Sequence, residues 1–427
     1  MNRKKTFFGF GLGAIQSGLM LLEATKSGNF DRLVIAEINE KLVSEVRHEG
    51  NSIIVNIATD SKIEKFHIKN IEVYNPLNAE DVKKIKAAIR CADEMATAVP
   101  SIDFYTKGEN SIVSLLAENI NPARQQILYA AENNNYAAEI LYKQIQQIAG
   151  SEKLVNFQPL NTVIGKMSGI IQNKETIERL DLSTITRESS YAVLVEAFNS
   201  IIVSKITLPG FTRGIDVFVE KENLLPFEEA KLFGHNAVHS MLGFLADMKS
   251  YNYMDEIKND QMLWAYGETA FKKESGAFLV KKYQHLGDSL FTERGFAAYG
   301  EDLLQRMTNP FLRDEVQRIC RDPLRKLGYG DRLIGTIREA LKQKVQANTI
   351  AKGVLGGICF LIKNRQEKGI PLPEDISCLS KNRVRDILIS IWEKAEDDGL
   401  KDMVLSLIMA QYDEFMEQFH FAGKGSG

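Results

Sequence analysis

The stretch Phe8-Gly9-Phe10-Gly11-Leu12-Gly13-Ala14 lies close to the start of the 427-residue chain and fits the pattern G-x-G-x-x-G/A. Its three key positions are held by Gly9, Gly11 and Ala14. Gly9 permits a tight turn, Gly11 lets the backbone approach a pyrophosphate, and Ala14 allows a helix to pack closely on a strand. The N–H groups that begin the next helix favour an anion. The stretch therefore predicts a dinucleotide-binding turn.

The surroundings of this turn support the same prediction. An apolar run over Thr6–Phe10 predicts a strand before it, Ile15–Lys26 predicts a helix after it, and Leu33–Ile38 predicts a second strand. Glu37 ends that second strand, where a carboxylate accepts hydrogen bonds from ribose hydroxyls and repels a 2′-phosphate. The alternative is an ordinary βαβ turn with Glu37 as a solvated charge. We therefore expect NAD, rather than NADP, as the cofactor.

Alternating strand and helix patterns continue for about two hundred residues and then give way to helical patterns. This change predicts an α/β fold, with a Rossmann-like doubly wound domain over residues 1–224 and a mainly α-helical substrate and catalytic domain over residues 225–427. Further strands are expected at Ser52–Ile57, Ile71–Tyr74, Glu94–Val99, Tyr129–Ala131 and Leu154–Phe157, and an N-terminal-domain helix at Asp81–Cys91. Later helices are expected at Glu228–Lys249, Met262–Gln284, Leu303–Thr308, Arg313–Arg321, Gly335–Gln346, Val384–Glu396 and Lys401–Gln418.

Composition excludes several classes of protein. A formal charge of −3 does not indicate the basic excess that is typical of nucleic-acid-binding proteins. No apolar run reaches the roughly 18 residues that span a bilayer, and no signal peptide is evident, so we expect a cytoplasmic protein without a membrane partner. The chain has four widely spaced cysteines without a CxxC, which predicts reduced thiols. The tail over residues 422–427 is expected to be disordered, and the pattern gives no oligomeric state.

The segment Glu228–His239 carries several chemically capable side chains on one predicted helix. At about 100° per residue, His235, His239 and Asn236 lie roughly 40°, 80° and 140° round from Lys231. A partly buried lysine can have a lowered pKa and act as a base toward an alcohol, while Asn236 and His239 hold the oxygen. Solvated or merely structural roles remain the alternative. A metal site is disfavoured, because the glutamate of HExxH is absent and no cysteine cluster lies nearby.

The motif Lys231-x4-Asn236-x2-His239 resembles the K-x4-N-x2-H signature of the polyol-specific long-chain dehydrogenases, the mannitol dehydrogenase family. The resemblance extends from the N-terminus to about residue 345, with its weakest part between about 245 and 295. Besides the glycine turn, the matching segments are Thr97-Ala98-Val99, Tyr129-Ala-Ala-Glu132-Asn133, Asn161-Thr162-Val163 and Arg318 to Leu327.

The resemblance implies metal-free hydride transfer to NAD. It makes Lys231 the general base, Asn133 and Asn236 the pair that stabilises the oxyanion, and His239 their neighbour. Arg318 and Lys326 are implied as substrate-contacting cations. Among the matched segments, we also expect Thr97 and Ala98 at the cofactor and Asn161 at the substrate.

The implied reaction is the reversible oxidation of an acyclic polyol or polyol phosphate to its ketose, with mannitol 1-phosphate and fructose 6-phosphate as the best candidates. One departure concerns the residues after Asn161: Gly165-Lys166 replace the usual aspartate and arginine, which removes an acidic partner for the lysine. Two alternatives stay open. One is a hexuronate reductase of the tagaturonate or fructuronate type, and the other is a catalytically inactive NAD-binding protein.

Overall fold

The computed structural model of the chain describes residues 4–364, 369–396 and 398–420. The expected disorder of residues 422–427 concerns a segment outside this described part. The chain divides into two compact units, Met1–Phe227 and Glu228–Gly427. The first unit holds the strands and the second is helical.

The first unit is built on a sheet of eight strands in the order β12-β11-β8-β7-β6-β1-β2-β5. Its pairings from β5 through β8 are parallel, while β11 runs antiparallel to β8. The six parallel strands reproduce the order 3-2-1-4-5-6 of a doubly wound fold, which confirms the predicted class. The strands of the unit are β1 Lys5–Phe10, β2 Phe30–Ala36, β3 Ile53–Ala58, β4 Ile63–Ile68, β5 Ile71–Tyr74, β6 Glu94–Thr97, β7 Gln126–Ala130, β8 Phe157–Val163, β9 Ser168–Ile171, β10 Ala192–Glu196, β11 Ile202–Ser204 and β12 Val219–Lys221.

Helices cover both faces of this sheet. Successive residues of a strand point to opposite faces. Phe7 accordingly packs into one buried cluster and Phe8 into another, both without solvent exposure. Burial on both faces explains why the central strands read as continuous apolar runs. The α-helices of this part are α1 Leu22–Ser27, α2 Glu40–His48, α3 Ala79–Cys91, α4 Ile112–Asn119, α5 Ala137–Ala149, α6 Lys174–Arg179 and α7 Leu225–Glu229, with a π-helix at Gln16–Leu21 and 3-10 turns at Ile102–Thr106 and Ser151–Leu154.

A second sheet of four strands, in the order β4-β3-β10-β9, was not expected as a separate layer. The predicted strand at Ser52–Ile57 exists as β3, but it pairs with β4 and β10 instead of joining the large sheet. The strand expected at Leu154–Phe157 was wrong. Leu154 ends a 3-10 turn, and β8 begins only at Phe157.

The second unit contains helices and, in the part that the structure describes, no strand beyond one isolated bridge between Tyr253 and Glu315. The predicted helix at Met262–Gln284 is divided by a π-helical segment. Its α-helices are α8 Ala237–Met248, α9 Gln261–Thr269, α10 Gly276–Tyr283, α11 Glu293–Met307, α12 Val316–Ile319, α13 Pro323–Lys326, α14 Arg332–Lys342, α15 Asn348–Asn364, α16 Lys381–Ile391, α17 Lys401–Ala410 and α18 Tyr412–His420, with π-helices at Ala230–Asn236 and Ala270–Ser275 and 3-10 turns at Met254–Asn259, Gln284–Leu286, Ser289–Phe291 and Ile376–Cys378.

The centre of the second unit is the contact between α8 and α15. Glycines on α15 make a close approach possible, because a Cβ at Gly353 would stand 2.6 Å from the Met241 side chain and one at Gly357 would stand 3.1 Å from Phe244. Helix α15 is buried over almost its whole length, which accounts for its apolar sequence. None of the described helices combines the length and the apolar character needed to cross a membrane. All four cysteines are free thiols.

Candidate active site

The glycine turn in the first unit joins β1 to the helical segment that follows it. Gly11 adopts a φ of +81°, and a Cβ there would stand 3.2 Å from the carbonyl oxygen of Ala98. Its N–H donates to the carbonyl oxygen of Ala36. Both the backbone conformation and the narrow space therefore require glycine at this position.

A cavity of about 530 Å³ lies beside this turn, at the carboxyl ends of β1, β2 and β6. In a doubly wound sheet, ligands bind in the crevice outside these strand ends, at the point where the strand order reverses. Four of the predicted cofactor residues line the cavity, whereas Gly9 and Thr97 do not. The lining includes Gly11, Ala14, Glu37, Ile38, Pro76, Ala98, Val99, Phe104, Lys107 and Ile112.

Glu37 has a second role that its position in the sequence did not reveal. Its side chain is buried, with 9% of the residue exposed. One carboxylate oxygen accepts from the Leu12 N–H at 2.7 Å, and the other accepts from the Asn39 N–H at 2.8 Å. The carboxylate thus braces the glycine turn at the same time as it lines the cavity.

Glu132 is a buried carboxylate that sequence reasoning named only as part of a matched segment. It accepts from the Thr97 hydroxyl at 2.8 Å, from the Val99 N–H at 3.0 Å, and from the Tyr105 hydroxyl. Burial raises its pKa above the ordinary value. It ties the end of β6 to the loop after β7, where Asn133 is exposed. The signal for its importance was its place directly before Asn133.

The side-chain amide of Asn161 makes hydrogen bonds at both its oxygen and its nitrogen within the first unit. Its side-chain oxygen accepts from the Ala138 N–H at 2.9 Å, and its amide nitrogen donates to Glu139 at 2.7 Å. These contacts fix the start of α5 next to the Asn133 loop. A direct contact between Asn161 and substrate stays a prediction.

Lys166, one of the two departures from the family pattern, is buried in the first unit. Its ammonium group donates to the carbonyl oxygens of Glu196 and Phe198, at 2.5 and 2.6 Å. The lysine thereby fastens the segment after β8 to the end of β10. Lys166 therefore has a structural role in the first unit, and it does not replace the acidic partner that the family pattern offers to the catalytic lysine.

In the second unit, Lys231 and Asn236 lie in the π-helical segment Ala230–Asn236, not in the regular helix that the angles above assumed. The Ala237 N–H donates to the Leu232 carbonyl oxygen, five residues earlier. In such a segment residues five apart are about one turn apart. Lys231 and Asn236 are therefore closer on the helix surface than the 140° of an α-helix. Insertions of this kind are frequent at functional sites.

The Lys231 residue is half-buried. Burial, the largest cause, and the positive charge of Arg332 together lower its pKa from 10.5 to about 8, and Glu228 opposes the change. Arg332 begins α14, which packs on the π-helical segment through a hydrogen bond from the Thr336 hydroxyl to the Phe233 carbonyl oxygen. The charge that tunes this lysine is therefore a cation from α14, which the sequence did not indicate.

The rings of His235 and His239 are neighbours, with a centroid distance of 6.0 Å and an angle of 43° between their planes. His235 is buried, and its Nδ1 has no hydrogen-bond partner among the described residues. Burial and the charges around it, including those of His239 and Lys231, hold its pKa well below the ordinary value, so the ring is neutral. The described residues contain no group of three or more histidine, cysteine or carboxylate side chains that could hold a metal.

Arg318 is the predicted substrate cation that reaches solvent, with 40% of its side chain exposed. Its Nε donates to Asp314 Oδ1 at 2.7 Å. The other Asp314 oxygen stands 3.4 Å from His239 Nε2. Asp314 was missed because it lies in a loop outside every motif, yet it joins two predicted site residues.

Lys326 has a different environment from the one expected. It is 5% exposed, and its ammonium group donates to the carbonyl oxygens of Ile319, at 2.6 Å, and Arg321. Burial first, and then the positive charge of Arg332, lower its pKa to about 8. Lys326 therefore holds the ends of α12 and α13 together, and its contact with substrate stays a prediction.

Comparisons with known proteins agree with these observations. Residues 223–411 match the model of the mannitol dehydrogenase C-terminal domain. The mannitol-1-phosphate 5-dehydrogenase of Brevibacillus brevis is 26% identical over 354 residues, which cover 82% of this chain and 85% of the relative. The enzyme of the same name from Caldanaerobacter subterraneus is 23% identical over 390 residues, covering 91% and 94%.

Two solved structures share the fold. A substrate-free D-sorbitol dehydrogenase has a TM-score of 0.75 at 13% identity, covering 98% of this chain and 95% of its own. The mannitol 2-dehydrogenase of Pseudomonas fluorescens, in a ternary complex with NAD and D-mannitol, has a TM-score of 0.66 at 12% identity, covering 99% and 94%.

The chain thus combines a doubly wound dinucleotide-type unit with a helical unit that carries a lysine-asparagine-histidine motif. Its helical part matches the model of the mannitol dehydrogenase C-terminal domain, and most of the chain is similar to mannitol-1-phosphate 5-dehydrogenases at 23% and 26% identity. The resemblance predicted from the motifs is confirmed.

Proposed function

We propose that this protein catalyses the reversible, metal-independent oxidation of an acyclic polyol or polyol phosphate to its ketose, with mannitol 1-phosphate and fructose 6-phosphate as the preferred pair. Its class is that of the NAD-linked polyol dehydrogenases. The observation that carries the proposal is Lys231, which has a pKa near 8 and lies on one helical surface with Asn236 and His239.

The chemistry assigned to the chain is acid-base chemistry at the reacting oxygen. Bound NAD would supply the acceptor for the hydride of the carbinol carbon. Neutral Lys231 takes the hydroxyl proton, since an amine with a pKa near the working pH serves both directions of proton transfer. Asn236 donates to the oxygen as negative charge develops there, with His239 alongside. The resemblance adds Asn133 to this group.

A phosphorylated substrate is preferred over a neutral one for two reasons. The curated relatives above are named mannitol-1-phosphate 5-dehydrogenases. Arg318 presents a partly exposed guanidinium group, which recognises phosphate or carboxylate in a bidentate way. Because the same group suits a carboxylate, a hexuronate reductase remains the second candidate.

The direct test is turnover by the purified protein with NAD or NADH across a panel of hexitols, hexitol phosphates, ketose phosphates and ketose uronates. We expect the highest kcat/KM with mannitol 1-phosphate and fructose 6-phosphate. Highest activity on tagaturonate or fructuronate would support the second candidate. NAD binding without turnover on any compound would contradict the enzyme and favour the inactive NAD-binding protein.

Glu37→Gln is expected to weaken the choice between NAD and NADP. The amide oxygen can still accept from the Leu12 N–H, so the turn keeps its brace, but the negative charge that repels a 2′-phosphate is lost. The ratio of kcat/KM for NAD to that for NADP should fall at least about tenfold, which corresponds to about 1.4 kcal/mol.

Glu40→Gln provides the matched control, because Glu40 is an exposed carboxylate three residues further on that accepts from the Asn75 side chain. Its preference for NAD should match that of the wild-type protein. An unchanged NAD preference in Glu37→Gln would show that another group selects the cofactor.

A further inference from the structure

Asp314 lies in the loop between α11 and α12, and the backbone of this loop is firmly held. The Asp314 carbonyl oxygen accepts from the Met254 N–H at 2.9 Å, and the Val316 N–H donates to the Asn252 carbonyl oxygen at 2.9 Å. Arg313, directly before it, has a φ of +47°, an uncommon conformation for a residue with a side chain. The loop thus directs the Asp314 side chain inward, where 6% of the residue is exposed.

The two oxygens of this buried carboxylate serve two different side chains. Oδ1 accepts from Nε of Arg318 at 2.7 Å, and Nη2 of the same guanidinium group stands 2.5 Å away. Oδ2 faces Nε2 of His239 at 3.4 Å. Asp314 Oδ2 and His239 Nε2 are both buried, and neither atom has a hydrogen-bond partner among the described residues. Each is therefore the available partner of the other.

A carboxylate beside one nitrogen of a histidine decides which nitrogen carries the proton. A hydrogen bond from His239 to Asp314 requires the proton on Nε2, and in that tautomer the lone pair lies on Nδ1. Burial alone would raise the pKa of Asp314, but His239 and Arg318 lower it, so the carboxylate is charged. A buried charge of this kind needs such partners.

We propose that Asp314 is a positioning residue, which sets the tautomer and orientation of His239 with one oxygen and holds Arg318 with the other. This inference rests on the proposed function, in which His239 lies alongside the reacting oxygen and Arg318 binds a distant group of the substrate. One carboxylate thereby fixes the distance between the two ends of the substrate site. Neither contact requires Asp314 to touch the substrate.

The kinetic test uses a double-mutant cycle with Asp314→Asn and His239→Ala, measured on the best substrate of the panel. Asp314→Asn should lower kcat/KM by about 10- to 100-fold, as is common for side chains that orient a functional histidine. In the His239→Ala background the loss should be clearly smaller than in the wild-type background, because only the contact with Arg318 is still removed and residues that act as a unit are not additive. Independent, multiplicative losses in the double variant would overturn the proposal.

Asp260→Asn is the matched control for the removal of a buried negative charge in the same unit. Asp260 is 9% exposed and accepts from Lys249, Tyr251 and the N–H groups of Met262 and Leu263, none of which is a predicted site residue. In a cycle with His239→Ala its effects should multiply. If Asp260→Asn were coupled to His239→Ala as strongly as Asp314→Asn is, the coupling would reflect a general loss of packing in the second unit, which would contradict the proposal.

A second readout needs neither turnover nor a stable variant. In ¹⁵N NMR of the wild-type protein, the neutral ring of His239 should show the proton on Nε2. A proton on Nδ1 would overturn the inference about Asp314 even if the protein is a polyol dehydrogenase. Conversely, the protein could show the proton on Nε2 and yet turn over no compound of the substrate panel. That result would reject the proposed function and would still support the contact between Asp314 and His239.

Discussion

Replacing Lys231 with alanine is expected to lower kcat for polyol oxidation at least about a thousandfold while the Kd for NAD changes little. The alanine removes the proton acceptor, and a positioned general base is worth about 10²- to 10⁴-fold. The cofactor residues assigned above all belong to the first unit, so the loss should fall on the chemical step. Steady-state kinetics and fluorescence titration with NADH measure the two quantities.

The pH dependence of the wild-type protein should identify the same group. Below a pKa of about 8, Lys231 is protonated and cannot accept the hydroxyl proton, so the oxidation rate should fall about tenfold per pH unit as the pH decreases. Above that value it should level off. Ketose reduction needs the protonated amine and should show the opposite trend.

Two variants separate Lys231 from other lysines. Lys326 also has a pKa near 8, so the profile should be repeated in Lys326→Arg, where residue 326 no longer titrates in this range. Lys281→Ala removes an exposed lysine that donates to the Gln343 carbonyl oxygen, and the activity of this variant should equal that of the wild-type protein. Loss of the pH dependence in Lys326→Arg, or substantial oxidation by Lys231→Ala, would refute the assignment of the base.

Gly11→Ala is expected to raise the Kd for NAD at least about tenfold. A residue with a side chain at a φ of +81° is strained by about 1 to 2 kcal/mol. The added Cβ would also stand 3.2 Å from the Ala98 carbonyl oxygen, at the wall of the cavity where a pyrophosphate would approach. Isothermal titration with NAD measures the change, and thermal unfolding measures the strain.

Gly28→Ala separates strain from loss of the binding surface. Gly28 has a φ of +67°, but a Cβ there would meet nothing within 4 Å. This variant should lose a similar stability and keep the wild-type Kd for NAD. Equal weakening of NAD binding in both variants would show that Gly11 acts only through stability, and unchanged binding in Gly11→Ala would place the cofactor elsewhere.

Patterns that depend on neighbouring residues in the chain could be predicted from the sequence. The glycine turn, the acid at the end of the second strand and the apolar runs of a doubly buried sheet each follow from local periodicity. The four-stranded sheet could not be predicted in this way. Its β3 and β10 are paired across more than a hundred residues, and a strand pattern does not specify its partner.

In the candidate active site, too, residues close together in the sequence could be predicted, and residues brought together by tertiary packing could not. Lys231, Asn236 and His239 lie within nine residues, so their motif was visible. Arg332 and Asp314 reach the same region from other elements, and only tertiary packing brings their charges to Lys231 and His239. The roles of Asn161, Lys166 and Lys326 were hidden for a related reason, since their partners are mostly backbone carbonyl or N–H groups that any sequence would offer.

The π-helical segment Ala230–Asn236 also bears on how chains with this motif could change over time. Such a segment is equivalent to one extra residue in a regular helix. If the segment closed as a regular helix without losing a residue, Lys231 would turn to about 140° from Asn236, and the proton acceptor would leave the substrate oxygen. If Leu232 were deleted, the two residues would be four apart and about 40° round from each other, so they would stay on one surface. The extra residue and the five-residue spacing would therefore have to be gained or lost together.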